Sequence, residues 1–120
     1  MPHRIVVADD NVDSAQSLAL MLETLGHETR MATNGVQALG IANEFRPNVM
    51  ILDIGMPGLD GHDLARRIRA EPWGNGILLI AASGWGQSED KQMSRDAGFN
   101  LHLVKPIEMQ TLEALLATVV

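Results

Sequence analysis

The sequence predicts an α/β fold, a parallel sheet of five strands doubly wound by five helices, and three observations carry that prediction. Short β-branched or apolar runs alternate strictly with segments whose apolar residues recur at helical spacing. One run, Val49-Met50-Ile51-Leu52, is apolar at every position, the mark of a strand covered on both faces. The 120 residues, 46% of them hydrophobic, suit a single domain spanning 1–120 that buries roughly two-thirds of its unfolded surface without disulfide or metal staples. Alternation of this kind implies right-handed crossovers and helices on both faces of the sheet.

Arg4 to Ala8 reads as the first strand, and Ala15, Leu18, Ala19, Leu22 and Leu25 stripe a helix that Gly26 stops. Glu28 to Ala32 is a weak second strand. Val36, Leu39, Ile41, Ala42 and Phe45 follow Asn34-Gly35 as a second helix, broken by Arg46-Pro47. Val49 to Leu52 is expected at the sheet centre. Leu64 and Ile68, with Arg66, Arg67 and Arg69 as a solvated face, make a third helix that ends before Glu71-Pro72-Trp73-Gly74. Ile77 to Ala82 is the fourth strand, Ser88 to Ala97 a polar helix ended by Gly98, and Leu101 to Val104 the fifth strand. Met109, Leu112, Leu115, Leu116 and Val119 stripe the last helix.

Composition excludes several classes of function. Nine Lys and Arg against 15 Asp and Glu give a net charge of −6, and no basic run exists to neutralise successive phosphates, so direct nucleic-acid binding is not expected. The absence of cysteine removes thiol nucleophiles and thiolate zinc sites and fits a reducing, cytoplasmic setting. No apolar stretch approaches the ~20 residues a membrane helix needs, and Met1-Pro2-His3-Arg4 leads into a strand, not a signal-peptide core.

Doubly wound sheets bind ligands beyond the carboxyl ends of their strands, so the residues that follow each apolar run are the informative ones. They are Asp9-Asp10-Asn11, Asp53, Ser83-Gly84 and Lys105-Pro106. Carboxylates ~4–5 Å apart repel by about 3–4 kcal/mol at an effective dielectric near 20, so three on one rim call for a cation or a raised pKa. Magnesium suits an all-oxygen donor set of this kind. An ammonium and a hydroxyl beside it, Lys105 and Ser83, would meet the oxygens of a phosphoryl group, with Asp53 as nucleophile. Each residue also has a plainer reading. An Asp-Asp pair after a strand commonly caps the next helix, Ser-Gly is a common turn, and a lysine before proline is often a surface residue. His102 reads first as a packed or solvent-facing histidine, and Trp85, on a Gly-flanked loop, as either a partner contact or loop packing.

Taken together, the chain resembles a receiver domain of two-component response regulators over its whole length. The marks are Asp9-Asp10 after a hydrophobic strand, Leu52-Asp53-Ile54-Gly55-Met56-Pro57-Gly58-Leu59-Asp60-Gly61, Ser83-Gly84 and Lys105-Pro106. The resemblance implies a flavodoxin-like fold with strand order 2-1-3-4-5. It implies that Asp53 accepts a phosphoryl group from the phosphohistidine of a histidine kinase or histidine phosphotransfer domain. Asp10 and Asp53 would be direct Mg2+ ligands, Gly55 would offer its carbonyl, and Asp9 would reach the metal mainly through water. Ser83 and Lys105 would hold the phosphoryl oxygens, with the Lys105–Pro106 bond cis and aiming the lysine into the site.

Two departures stand out. His102 occupies the place where the family commonly has a Tyr or Phe switch, which makes it the switch candidate here. Gly55 and Trp85 sit where similar domains tune hydrolysis of the acyl phosphate, and Gly55 has no side chain to orient water. Output by resemblance would run through the face of the fourth helix, fifth strand and fifth helix, a possible phosphorylation-dependent dimer surface. The run Ala82 to Gln87 with Leu103 to Pro106 resembles receivers attached to hybrid histidine kinases. The last helix runs to Val120 without a visible effector segment, so a stand-alone regulator or an excised module is expected. The alternative from another class is a small Mg-dependent aspartate-nucleophile phosphatase or phosphotransferase. That chemistry usually has a second acid two residues on, where this chain has Gly55. A flavin or nucleotide module is disfavoured because no Gly-x-Gly-x-x-Gly or Walker-type loop follows the first strand.

Overall fold

The computed structural model describes residues 3–56, 58–84 and 88–118, with backbone only for 88–91. Ten elements follow one another in strict alternation: β1 (Arg4–Ala8), α1 (Val12–Thr24), β2 (Glu28–Ala32), α2 (Gly35–Phe45), β3 (Val49–Asp53), α3 (Gly61–Ala70), β4 (Leu78–Ser83), α4 (Ser88–Ala97), β5 (Leu101–Val104) and α5 (Met109–Leu116). All strand pairs are parallel, in the order β2-β1-β3-β4-β5. The fold is therefore the flavodoxin-like arrangement expected.

Strand periodicity sorts the core into two layers. Val6, Ala8, Met50, Leu52, Leu79 and Ala81 point to one face and pack with Ala38, Ala42 and Phe45 of α2 and Leu64, Ala65 and Ile68 of α3. Ile5, Val7, Val49, Ile51, Ile80 and Ala82 point to the other, against Ala15 and Leu22 of α1 and Leu112 and Leu116 of α5. β3 lies at the centre, buried at all five positions. Each fully buried Leu or Ile there contributes about 1.5–3 kcal/mol, so the strand that ends in Asp53 is among the most firmly anchored parts of the chain.

Helix starts follow their sequence signals. Asn11, Asn34 and Asp60 cap α1, α2 and α3, each side chain accepting a backbone hydrogen bond. Asn11, not the Asp9-Asp10 pair, supplies the cap of α1, which leaves both preceding carboxylates for other work. Gly61 is required for packing: a Cβ there would sit 2.7 Å from the Asp53 carbonyl oxygen and from Ile54 Cα. Its amide donates to the Ile54 carbonyl at 3.2 Å, so α3 begins hard against the end of β3.

One sequence expectation needs correction. Arg66 pairs with Asp63 at 2.9 Å in solvent as expected, but Arg69 turns inward. Its guanidinium donates to the carbonyls of Gly98, Gly74 and Ile77 and to Asn100 Oδ1, tying α3 to the loops before β4 and β5. Five donors in a rigid fork suit such a cluster of loop carbonyls, and periodicity on α3 alone does not reveal it.

Candidate active site

Parallel strands deliver their last residues to one rim, and the expected ones arrive there. Asp53 ends β3, Ser83 ends β4, Asp9 follows β1 and Lys105 follows β5. Backbone bonds beyond the strand ends hold the rim in register. The Asp9 amide donates to Ala32, the Ile54 amide to Ala82, and the Lys105 amide to the Ser83 carbonyl at 2.7 Å. The Lys105–Pro106 peptide bond is cis.

Carboxylate oxygens of Asp9, Asp10 and Asp53 come within 4.8 Å of one another. Asp9 and Asp53 are buried, 6% and 9% exposed, whereas Asp10 stands in solvent. Lys105 Nζ donates to Asp9 Oδ2 at 2.8 Å and lies 3.5 Å from Asp53 Oδ1. The other Asp9 oxygen accepts from the Asn11 amide at 2.9 Å, so both oxygens of Asp9 are engaged. Asp53 Oδ1 also accepts from the Gly55 amide at 3.2 Å. A Cβ at position 55 would stand 3.9 Å from that same oxygen, so any side chain there would lie against the carboxylate.

Burial pushes the Asp53 carboxyl above its ordinary value, and the nearby charge of Asp9 and a hydrogen bond with Asp10 add to it. The Gly55 amide and Lys105 oppose the shift without cancelling it. For Lys105, burial works downward, but the hydrogen bond to Asp9 and the charges of Asp53 and Asp9 win and raise the ammonium. One ammonium thus faces three carboxylates, and the surplus negative charge with an all-oxygen donor set fits a hard divalent cation. Beneath the rim a cavity of about 520 Å3 runs between α1 and the start of α5, lined by Asp9, Asp53, Lys105, Leu18, Met21 and Ile107 among others.

The family model for the response regulator receiver domain matches residues 5–117. The chain belongs to that family. PilH of Pseudomonas aeruginosa is 32% identical over 109 residues, covering 91% of this chain and 90% of that protein. The chemotaxis protein CheY4 of Vibrio cholerae superposes with a TM-score of 0.94 at 26% identity, each chain covered in full (100%). The receiver domain of the sensor histidine kinase PA1611 of Pseudomonas aeruginosa, solved with magnesium in its active-site cleft, has a TM-score of 0.90 and 28% identity over 99% of this chain and 98% of that one. The chain is a receiver module of two-component phosphorelay signalling. Among its described residues no helix is long and apolar enough to cross a membrane.

Ser83 and His102 stand apart from the charged group. Ser83 shares strand parity with Leu79 and Ala81, and His102 lies on the face of β5 opposite Leu103, so both face the α3–α4 layer. Ser83 Oγ and His102 Nε2 are 2.7 Å apart. His102 Nδ1 meets Ser94 Oγ of α4 at 3.2 Å, and that hydroxyl meets His62 Nε2 of α3 at 3.3 Å. Sequence reasoning found His102 but not Ser94 or His62. The available signal was a polar residue on the buried stripe of each helix: His62 lies three before Ala65, and Ser94 three before Ala97. Trp85 lies outside the described residues.

Proposed function

We propose that Asp53 is the phosphoryl acceptor of this receiver module, taking the group from the phosphohistidine of a histidine kinase or histidine phosphotransfer domain. The supporting observation is the convergence on one rim of a buried carboxylate at the end of β3 and an ammonium 3.5 Å from its oxygen. In the step, an Asp53 oxygen forms a bond to phosphorus as the phosphorus–imidazole nitrogen bond breaks, leaving an acyl phosphate and returning the electron pair to the donor ring. Asp53 is under-solvated, and its raised affinity for a proton accompanies a more basic, more nucleophilic oxygen.

Lys105 lies 3.5 Å from the acceptor oxygen, within reach of an oxygen of the incoming group, and it holds that oxygen by a charge-assisted hydrogen bond. Ser83 offers its hydroxyl to another. Asp10, Asp53 and the Gly55 carbonyl hold Mg2+, with Asp9 acting mainly through water, a ranking that the two engaged oxygens of Asp9 support. When bound, the cation supplies charge neutralisation for the phosphoryl oxygens. Gly55 presents no side chain to align water, so in the loss step an unaligned water bonds to phosphorus as the bond to the Asp53 oxygen breaks, releasing phosphate and the carboxylate, and turnover is confined to this self-directed gain and loss.

Residues 1–120 form one receiver domain in this reading, acting in the cytoplasm without direct nucleic-acid or membrane contact. His102 is its switch residue. Met93, Leu101 and Val104 are exposed on α4 and β5, and they support a phosphorylation-dependent dimer through the α4–β5–α5 face. The test is incubation with Mg2+ and a small phosphodonor. One phosphoryl group per chain is expected on the unmodified protein and none on Asp53→Asn, with sedimentation of the same samples reporting the dimer. Full incorporation by the variant would overturn the assignment.

A further inference from the structure

At the end of the sheet opposite the rim, two histidines meet where the chain enters β1. Their rings stack at 5.2 Å between centroids, with 26° between the planes. The His3 amide donates to His27 Nδ1 at 3.0 Å, and the His3 carbonyl accepts from the Glu28 amide at 3.0 Å. The buried His3 ring is held between Asn48 Nδ2, 2.6 Å from its Nδ1, and the Leu116 carbonyl, 3.2 Å from its Nε2. Leu116 is the last residue of α5, in the turn where carbonyls lack an intrahelical donor.

Backbone groups fix where the hydrogens of this cluster lie. The Arg4 amide, 2.7 Å from Asn48 Oδ1, can only donate, so the Asn48 oxygen faces Arg4 and its NH2 faces His3. His3 Nδ1 is therefore the bare acceptor. The Leu116 carbonyl can only accept, so the His3 proton is on Nε2. His27 Nδ1 faces an amide N–H and is bare as well, which puts its proton on Nε2. Both rings are neutral and each contact has one hydrogen. A proton added at His27 Nδ1 would set one N–H against another.

We propose that His3 and His27 form an acid-released latch, in which a proton taken from solvent onto His27 Nδ1 breaks the bond from the His3 amide and frees the His3 ring from the end of α5. No other group changes protonation in the step. His27 is the point of entry because it is half-buried where His3 is buried. The charged groups on the neighbouring elements are Glu28, next along β2, Glu23 at the end of α1, which accepts from Thr29 Oγ1 at 2.8 Å, and Glu113, exposed on α5. Arg4 of β1 turns to the other face, over the Phe45 ring at 4.3 Å. Among the described residues no carboxylate lies within ion-pair distance of either ring, so none receives the new charge. Burial holds the His27 imidazole below its ordinary value, and charge on His3 and at the amino terminus adds to the effect. The folded state thus favours the neutral ring. Its contribution is present above the unfolded pKa and is lost as pH falls through the folded value, so the latch is closed at neutral pH and opens in acid.

The test is a titration of the full chain from about pH 7.5 to about pH 5, followed by nitrogen NMR of the histidine rings and by backbone amide shifts. The latch predicts that His27 gains its second proton with a midpoint below the ordinary 6.5, and that the amides of His3, Ala117 and Thr118 move with that same midpoint. His27→Asn keeps an oxygen acceptor near the Nδ1 position with nothing there to protonate. In that variant the transition at Ala117 and Thr118 should disappear. An α5 transition that survives His27→Asn would overturn the latch, as would a His27 midpoint at or above its ordinary value. Should the variant not fold, the unmodified protein decides alone: coincident midpoints at His27 and at the end of α5 support the latch, and α5 amides that stay still while His27 titrates overturn it.

Discussion

The two sides of the site are built on opposite principles. On the α1–α5 side, the carboxylates of Asp9, Asp10 and Asp53 cluster, and one ammonium, Lys105, pairs with Asp9 and Asp53. On the α3–α4 side, Ser83, His102, Ser94 and His62 form a seam of hydroxyl and imidazole groups within hydrogen-bond distance of one another. The rim is electrostatically incomplete and therefore demands a ligand. The seam is held by contacts among its own side chains and ties the end of β4 to α4 and α3. Strand alternation produces the division, because Asp53 follows the parity of Ile51 while Ser83 follows that of Ala81. The rim thus carries the binding chemistry, and the seam carries the contacts that join the site to the neighbouring helices.

The largest effect that would sharpen this contrast is expected at Lys105. Lys105→Gln removes a charge-assisted hydrogen bond of about 1.5–3 kcal/mol and should weaken beryllofluoride binding roughly 10- to 100-fold in a titration followed by the Asp53 amide. A change under about twofold would break the account of the rim. Next come the acids. Asp10→Asn should weaken magnesium affinity about tenfold, and Asp9→Asn less, because both Asp9 oxygens are already occupied by Lys105 and Asn11. Calorimetric titration of both variants checks the order, and equal losses would contradict it.

The smallest effect is on stability. Asp53 has its pKa raised on folding, so the neutral form is favoured in the folded state. That contribution is present in full below the unfolded pKa and is lost as pH rises through the folded value. In metal-free buffer, Asp53→Asn should therefore raise Tm by a few degrees at neutral pH, and the gain should vanish below about pH 4. Thermal melts of both proteins across that range give the comparison. A gain that persisted at low pH would trace to packing instead of charge.

The rim and the strand-borne half of the seam, Ser83 and His102, were legible in the sequence, and the helix-borne half was not, for a physical reason. Asp9, Asp53, Ser83 and Lys105 each follow an apolar run, and a parallel sheet brings all such positions to one edge whatever the loops do. Asp53 at the end of an all-apolar strand has no structural purpose of its own and stood out for that reason. His62 and Ser94 lie within helices, and their meeting depends on how α3 and α4 pack, which no local pattern encodes. Arg69 was missed likewise, since its partners are loop carbonyls distant in sequence. β4 runs one residue later at both ends, Leu78–Ser83 in place of Ile77 to Ala82, so Ser83 closes the strand instead of following it.

The central claim is that the phosphoryl group resides on Asp53, and its position can be read chemically. Borohydride reduces an acyl phosphate to the alcohol, marking the modified residue for peptide mass mapping after treatment with Mg2+ and a small phosphodonor. The account predicts a single mark at position 53, absent when magnesium is withheld. A mark on Asp9 or Asp10, or a phosphoryl group recovered on His62 or His102, would contradict it.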